Sequence, residues 1–254
     1  MSRMRIGILI ILALFGLCGM LSGRASAQIL NTLSGFQDVP GWQGEASGFF
    51  RLSGGNTDVQ DYLASGAGQW QGEHQRMRAI ANYNLTRTSG IDTSEDLTLH
   101  LRHNYRLRSW LASLAFTQYQ RNPFQDLRAR ILIGGGLRFD LVSNEKRRLA
   151  IGLSAMYEAE ELTDAEQSST ARFSGFVDLR RDLQQYMRVS VVGWYQPDVG
   201  NFADTRASVL ADLDVDLVGS LAMVVGSSFA YDSRPPAGIE DIDWSVRTGL
   251  RLTL

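Results

Sequence analysis

Side chains that commonly carry catalysis or bind metals are scarce in this sequence. The 254 residues include three histidines and a single cysteine, Cys18. Cys18 lies upstream of a predicted signal-peptidase site, so the mature chain is expected to have no thiol. This excludes disulfides, cysteine-ligated metals and a cysteine nucleophile.

Arginine is the charged side chain that recurs with a regular spacing. It alternates with apolar residues in several segments, so that the arginines of each segment share one face. Guanidinium groups pair well with carboxylates and other anions. The candidate lining of a charged interior is Glu45 together with Arg76, Arg78, Arg102, Arg128, Arg130, Arg172, Arg206, Arg247 and Arg251.

The segments that carry these arginines have the period of β-strands. In residues 75–87, 96–106 and 127–139, one face is apolar and the other is polar. Helical periodicity is scarce, and no apolar run after Gln28 approaches the ~20 residues of a membrane-spanning helix. We therefore predict an all-β protein.

Twelve such segments follow one another along the chain. Their spans are 42–53, 59–70, 75–87, 96–106, 110–120, 127–139, 148–158, 169–181, 186–195, 203–215, 220–231 and 243–254. The even count, and lengths near the ~9–11 residues of a tilted membrane strand, favour an outer-membrane barrel. Tight turns are predicted to alternate with longer loops, which include 88–95, 160–168 and 232–242.

A soluble β-sandwich also alternates polar and apolar residues, but two features favour a closed antiparallel transmembrane barrel of about twelve strands. The opposite faces carry more charge than a dry core accepts, whereas a wet lumen tolerates it. The apolar faces carry aromatics near both ends, as two membrane-interface girdles would. These aromatics are Trp42, Trp70, Tyr105, Trp110, Tyr157, Tyr195, Tyr231 and Trp244.

The N-terminus has the pattern of a cleaved signal peptide. A basic start precedes the uncharged stretch Ile6–Leu21, and Ala25-Ser26-Ala27 fits a cleavage site. We predict a signal peptide at 1–27, a periplasmic segment at 28–40 and the barrel at 41–254. Removing three arginines from 25 basic residues leaves 22 against 27 acidic residues, which does not suggest a nucleic-acid partner.

The C-terminal residues alternate up to the end of the sequence. Gly249, Leu252 and Leu254 resemble the signal by which the barrel-assembly machinery recognises its clients, although that signal usually ends in phenylalanine or tryptophan. A closed barrel also requires its last strand to pair with its first. We predict that paired residue numbers at this seam sum to 294–296, with Glu45 beside Arg251 and Arg247 near Ser47 and Phe49.

Four phrases in register resemble the outer-membrane barrels of domain-of-unknown-function family 481, whose members are often labelled salt-induced outer membrane proteins. The phrases are SGGNTD (53–58), RNPFQDLRARILIGGGLRF (121–139), QPDVGNFAD (196–204) and YDSRPPAGI (231–239). The matching loop residues are Gly55, Asn56, Thr57, Asp58, Phe124, Gln125, Asp126, Asp232, Pro235 and Pro236. The resemblance implies an outer-membrane location and a barrel, without an established activity.

Three classes of function are open at this point. A structural or envelope-stress role is the first, with outer-membrane lipid and lipopolysaccharide as partners. A narrow anion-selective pore for small acidic solutes is the alternative, because the predicted lumen has more arginines than acids. Side chains could equally well plug a barrel of this size.

An outer-membrane hydrolase is the third class, and the histidines argue against it. His74 falls in a predicted turn, His103 faces outward near the periplasmic end, and His100 faces the lumen. None is at the extracellular rim, so we predict no catalytic residue, no metal site and no cofactor. The acidic residues assigned to long loops are more simply solvated charges than cation ligands: Asp92, Glu95, Asp96, Glu160, Glu161, Asp164, Glu166, Asp232, Glu240 and Asp241.

Overall fold

Twelve antiparallel strands form one sheet that closes on itself, so the predicted all-β barrel is confirmed. The computed structural model describes Phe36 and residues 39–54, 58–144, 146–163, 167–236 and 238–253. The predicted signal peptide and Leu254 lie outside these residues. Among the residues described, no helix is long and apolar enough to cross a membrane.

The strands follow the predicted segments closely. They are β1 (Gly41–Ser53), β2 (Val59–Gln71), β3 (Gln75–Thr88), β4 (Ile91–Arg108), β5 (Leu111–Asn122), β6 (Leu127–Asn144), β7 (Arg147–Leu162), β8 (Ser168–Gln184), β9 (Met187–Pro197), β10 (Thr205–Val218), β11 (Leu221–Asp232) and β12 (Ile242–Thr253). One 3-10 turn, Pro123–Gln125, separates β5 from β6. Each strand pairs with its neighbours in sequence, and β12 returns to β1.

The two ends of the barrel differ. One end, which we call the turn end, carries the start of β1, the end of β12 and the two- or three-residue connections such as 72–74 and 219–220. The other, the loop end, carries connections that include 198–204 and 233–241.

Strand alternation separates two chemically different faces. On β4, for example, Thr98, His100 and Arg102 are buried while Leu99 and Leu101 are 43% and 44% exposed. Side chains of a strand alternate faces, so the buried polar set lines the lumen and the exposed apolar set forms the outer wall. This inverts the usual arrangement of a soluble protein, and it is the arrangement of a membrane barrel.

The loop predicted at 88–95 is wrong. β3 and β4 continue past it and are joined by Ser89 and Gly90, both with positive φ (51° and 79°). Paired positive φ values are those of a tight hairpin turn. Asp92 pairs with Arg87 across this hairpin at 2.5 Å, so polar residues here mark a projecting ribbon.

Arg128 does not line the lumen. A β-bulge lies between Leu127 and Ala129 on β6, and such an extra residue changes which face the next side chain takes. Leu127 is therefore buried, whereas the Arg128 side chain is 61% exposed and pairs with Glu161 at 2.9 Å.

The seam joins the predicted strands but in a different register. The paired residues are Glu45 with Thr253, Ala46 with Leu252 and Ser47 with Arg251, so their numbers sum to 298. Glu45 and Arg251 are still one diagonal step apart, with Oε2 and Nε separated by 3.8 Å. Arg247, predicted near Ser47 and Phe49, is not among the residues that pair with β1, and Ser47 pairs with Arg251 instead, because the strands are offset further along each other.

Phe36 belongs to the segment 28–40, which is predicted to be periplasmic. This residue is 2% exposed, and its carbonyl oxygen accepts a hydrogen bond from Arg180 at 3.4 Å. Its ring lies 4.9 Å from the Arg78 guanidinium carbon. Phe36 thus lies inside the turn end of the barrel.

Candidate functional site

Apolar side chains fill the middle of the lumen. Leu114, Phe176, Val192, Trp194 and Leu210 form a buried cluster that Phe116 packs against. They project from β5, β8, β9 and β10, across the side of the barrel opposite the seam. The cavity left beside them is about 30 Å³, enough for a water molecule rather than the ~300–1,000 Å³ of a ligand pocket.

The absence of a side chain at Gly152 allows the Phe176 ring to pack closely against β7. A Cβ on Gly152 would lie only 1.9 Å from the ring of Phe176. The Phe176 ring can therefore lie directly against the backbone of β7. Its other neighbour is the Arg102 guanidinium, whose carbon is 4.8 Å from the ring centroid.

A compact ion-pair network lies on the loop side of the apolar cluster. Arg206 contacts Glu158 at 2.5 Å, Glu160 at 3.2 Å and Asp232 at 2.7 Å. Arg130 contacts Glu160 at 2.5 Å, and Arg172 contacts Asp204 at 2.9 Å. Because these groups are mostly buried, their charges are balanced within the protein.

Arginines predominate on the turn side of the cluster. Arg78, Arg102, Arg138 and Arg148 are all buried and all interact electrostatically with Asp178. Arg138 also contacts Asp140 at 2.7 Å, and Arg78 donates from Nε to Gln69 at 3.1 Å. Arg76 lies beside them and donates to Gln71 at 2.6 Å.

Ion pairs also line the seam side, but in a more open setting. Arg247 contacts Asp212 at 3.4 Å, Arg51 contacts Asp61 at 2.6 Å, and Arg251 contacts both Glu45 and Asp214. The side chains of Arg51 and Arg247 are 57% and 46% exposed.

The wall between these ion pairs is lined by small residues. On β11 and β12, Gly226 pairs with Arg247 and Ser228 with Ser245, whose hydroxyl oxygens are 2.7 Å apart. On β1 and β2, Ser47 pairs with Ser65. The lumen is therefore filled by large side chains on one side and lined by smaller ones along the seam.

The structure brings most of the predicted arginines together inside the barrel, and adds residues that the sequence prediction missed. Arg138, Arg148, Gln69 and Glu158 were absent from the candidate set. Glu160 and Asp96 were assigned to loops, although they face the lumen from β7 and β4. Strand parity could have found Glu160, had β7 been extended beyond residue 158.

The family loop residues cap the loop end. Asp232 belongs to the Arg206 network. Asp126 adopts φ 57°, and its carbonyl oxygen accepts from the Thr163 amide at 2.8 Å. Gln125 donates to Asp243 at 3.4 Å, and Pro236 accepts from Ile239 at 3.0 Å. Phe124 is exposed.

The remaining predicted motif residues make fewer contacts or lie outside the described residues. The carbonyl oxygen of Asp58, between β1 and β2, accepts from the Ser89 amide of the β3–β4 turn at 2.7 Å, and Pro235 lies in the loop 233–241. Gly55, Asn56 and Thr57 lie outside the described residues, as does Leu254 of the assembly signal. Gly249 and Leu252 lie on β12.

The histidines do not assemble a reactive centre. His100 Nδ1 lies 2.8 Å from Gln118 Oε1, and its ring stacks on Phe116. His103 is exposed on the outer wall, 3.4 Å from Gln75, and His74 lies in a turn. In the described part of the chain, no three histidine or acidic side chains converge as metal ligands would.

These features define an outer-membrane-type β-barrel. The sequence matches a family model over residues 46–253, and the chain belongs to that family, DUF481, a family of proteins of unknown function. No curated protein matches the chain.

A solved porin structure with a TM-score above 0.5 has the same type of fold. The NanC porin has a TM-score of 0.52 at 9% identity, with 84% of this chain and 100% of that chain covered. The translocator domain of the autotransporter NalP from Neisseria meningitidis has a TM-score of 0.49 at 12% identity, covering 83% and 86%. At these identities the likeness concerns the fold alone.

Proposed function

We propose that this protein is an integral barrel of the bacterial outer membrane with a structural role in the cell envelope, and that its interior is a packed core. The observation that carries the proposal is the apolar cluster around Phe176 and Trp194. An open aqueous pore would be lined by polar groups at its midpoint. Here apolar side chains cross one side of the lumen, between two layers of ion pairs.

The outer surface supports the membrane location. Its exposed side chains are predominantly apolar, and Trp110, Tyr157, Tyr195 and Trp244 are 53–54% exposed near the strand ends. Aromatic residues at such positions suit the membrane interfaces. In this placement the loop end is extracellular and the turn end periplasmic. Export through a cleaved signal peptide and insertion by the barrel-assembly machinery belong to the same proposal.

A non-catalytic role is part of the proposal. Among the residues described, His100 and His103 lie beside glutamine oxygens, and the carboxylate near His74, that of Glu73, is exposed and 4.0 Å from His74 Nδ1, too far for the hydrogen bond that orients a general base. The chain's expected partners are outer-membrane lipid and lipopolysaccharide.

Planar-bilayer recording tests the packed core. The wild-type protein should show no steady ohmic conductance. Replacing Phe176 and Trp194 together by alanine should open a measurable conductance, because it removes the two largest side chains of the plug. The matched control is Tyr195→Ala, which truncates an outward ring on the same strand and should leave the bilayer silent. Steady conductance by the wild-type protein would overturn the packed core.

A narrow anion-selective pore is the second candidate. It is favoured by the small residues along the seam and by the exposed guanidinium groups of Arg51 and Arg247. In a salt gradient, this candidate requires a reversal potential on the anion-selective side. Arg51→Gln with Arg247→Gln should then shift that potential towards zero.

A further inference from the structure

The seam between β1 and β12 is much shorter than the strands that form it. Only three residues of β1, Glu45 to Ser47, pair with β12. By contrast, β1 pairs with β2 along its whole length, from Gly41 to Ser53. Continuing the seam register would match Gly48–Ser53 with Ser245–Leu250. Within 39–54 and 238–253, both fully described, no such pairs form.

Exposure shows the same gap. From Ala46 to Ser53 every residue of β1 is exposed, whichever face it takes. In a complete wall, the inward side chains would be covered by their neighbours across the lumen and along the sheet. Phe49 faces inward with the same parity as Glu45, and is still 45% exposed. The wall is therefore open towards the loop end.

The lumen next to this gap is apolar. Phe49 and Leu63 pair in register, and both face inward, where Leu63 is 38% exposed. Across the gap, the inward positions of β12 include Ser245 and Gly249, which leave space. Other partly exposed inward positions carry small, polar or charged side chains, or aliphatic ones that are more covered, such as Ile80 and Val224, so this pair of exposed apolar side chains is distinctive.

Charge lies on both rims of the gap. Arg51 on β1 and Arg247 on β12 have side chains that are about half exposed, and each contacts one carboxylate. A guanidinium has five N–H donors, so a single carboxylate partner leaves some of them able to bind an additional anion.

Membrane physics makes a permanently empty gap expensive. Unpaired backbone groups that face hydrocarbon are strongly destabilising, and they are tolerated where they line a wet cavity. The combination of small inward side chains, an apolar floor and cationic rims fits an amphiphile with an acidic headgroup and an acyl chain.

We propose that the loop-end part of the β1–β12 seam is a lateral portal, through which the acyl chain of an anionic outer-leaflet amphiphile enters the lumen and contacts Phe49 and Leu63. Its headgroup is held between Arg51 and Arg247. This inference rests on the membrane placement in the proposed function, but not on whether the barrel conducts.

Fluorescence quenching by brominated acyl chains tests the portal. A small fluorophore carried on an unnatural amino acid is placed at one of three positions in the vesicle-reconstituted protein. Phe49 reports on the lumen at the gap, Phe50 on the outer wall, and Ser154 on the lumen at β7, across the barrel from the gap. We expect quenching at positions 49 and 50 and none at position 154.

The three positions separate two kinds of failure. If position 50 is not quenched, the barrel is not in the bilayer and the proposed function fails. If position 50 is quenched but position 49 is no more quenched than position 154, the portal is overturned while the membrane placement stands.

A reversible disulfide across the seam tests whether the acyl chain enters through the gap. Gly48→Cys with Leu250→Cys joins the two rims in the seam register, and oxidation should abolish quenching at position 49 until the disulfide is reduced. The control pair, Gly48→Cys with Ala64→Cys, bridges the intact β1–β2 ladder and should leave the quenching unchanged. Unchanged quenching in the locked seam would contradict entry by this route.

Headgroup preference tests the rims. Brominated lipids with an anionic headgroup should quench position 49 more strongly than zwitterionic ones, and this difference should be lost in Arg51→Gln with Arg247→Gln. Equal quenching by both lipids in the wild-type protein would overturn the anionic assignment.

Discussion

Arg128 and Arg130 are two positions apart on one strand but lie in opposite environments. The Arg130 side chain is 8% exposed and contacts Glu160 at 2.5 Å, whereas the Arg128 side chain is 61% exposed. Breaking a buried pair typically costs about 3–5 kcal/mol, because one charge is left without its partner. An exposed pair is worth about 0–1 kcal/mol.

We therefore expect Arg130→Gln to lower the free energy of unfolding by about 3–5 kcal/mol, and Arg128→Gln by at most about 1 kcal/mol. Urea titration of the protein in lipid vesicles measures both. Equal losses would mean that the two arginines share one environment, as simple alternation along residues 127–139 predicts.

That simple alternation shows where prediction from single residues stops. It placed Arg78, Arg102, Arg130 and Arg172 correctly in the interior, because the alternation is unbroken between each of them and the middle of its strand. It failed at Arg128, since a bulge adds one residue whose position depends on the neighbouring strands. The side chains of residues 127–129 do not indicate that a bulge is present.

At the scale of the strand, outward side chains lie at different heights along the barrel wall. Leu153 on β7 pairs with Leu137 and is 59% exposed, between the aromatic levels of Tyr157 and Phe139. Ile131 pairs with Ala159, on the loop side of Tyr157, and is 45% exposed. In a membrane, Leu153 would lie near mid-bilayer and Ile131 near the interface.

Arginine placed on these two positions should reveal the gradient. On the lipid face the penalty is about 2–4 kcal/mol at mid-bilayer and about 0–1 kcal/mol near an interface. We expect Leu153→Arg to lower the free energy of unfolding in vesicles by the first amount and Ile131→Arg by the second. A larger loss for Ile131→Arg would place the bilayer elsewhere on the barrel.

The strands themselves were predictable because membrane and lumen impose a strict period of two on each of them. Their ends were less so. The residues 88–95 are polar on both faces, which resembles a loop, but a hairpin projecting beyond the membrane needs no apolar face. Offset at the seam was also missed, since three paired residues leave little pattern from which to read a register.

At the scale of the whole molecule, the contents of the lumen could not be read from the sequence. The contacts that fill it join distant strands, such as Arg206 to Glu158 and Arg247 to Asp212. Alternation shows which side chains face inward, but the diameter and shear of the barrel decide which of these side chains contact each other. The same holds for the apolar cluster, whose members lie on four strands and are individually unremarkable in sequence.

The orientation of the whole barrel gives the last prediction. Gly238 in the connection 233–241 and Gly219 in the turn 219–220 lie at opposite ends, and both have positive φ (84° and 56°). The same site for a specific protease, inserted at either glycine, should disturb the strands equally little. Protease added to intact cells should cut the Gly238 variant and spare the Gly219 variant, because barrel termini and short turns face the periplasm. Permeabilising the outer membrane should make both cut. Cleavage of only the Gly219 variant in intact cells would show that the barrel is inserted the other way round.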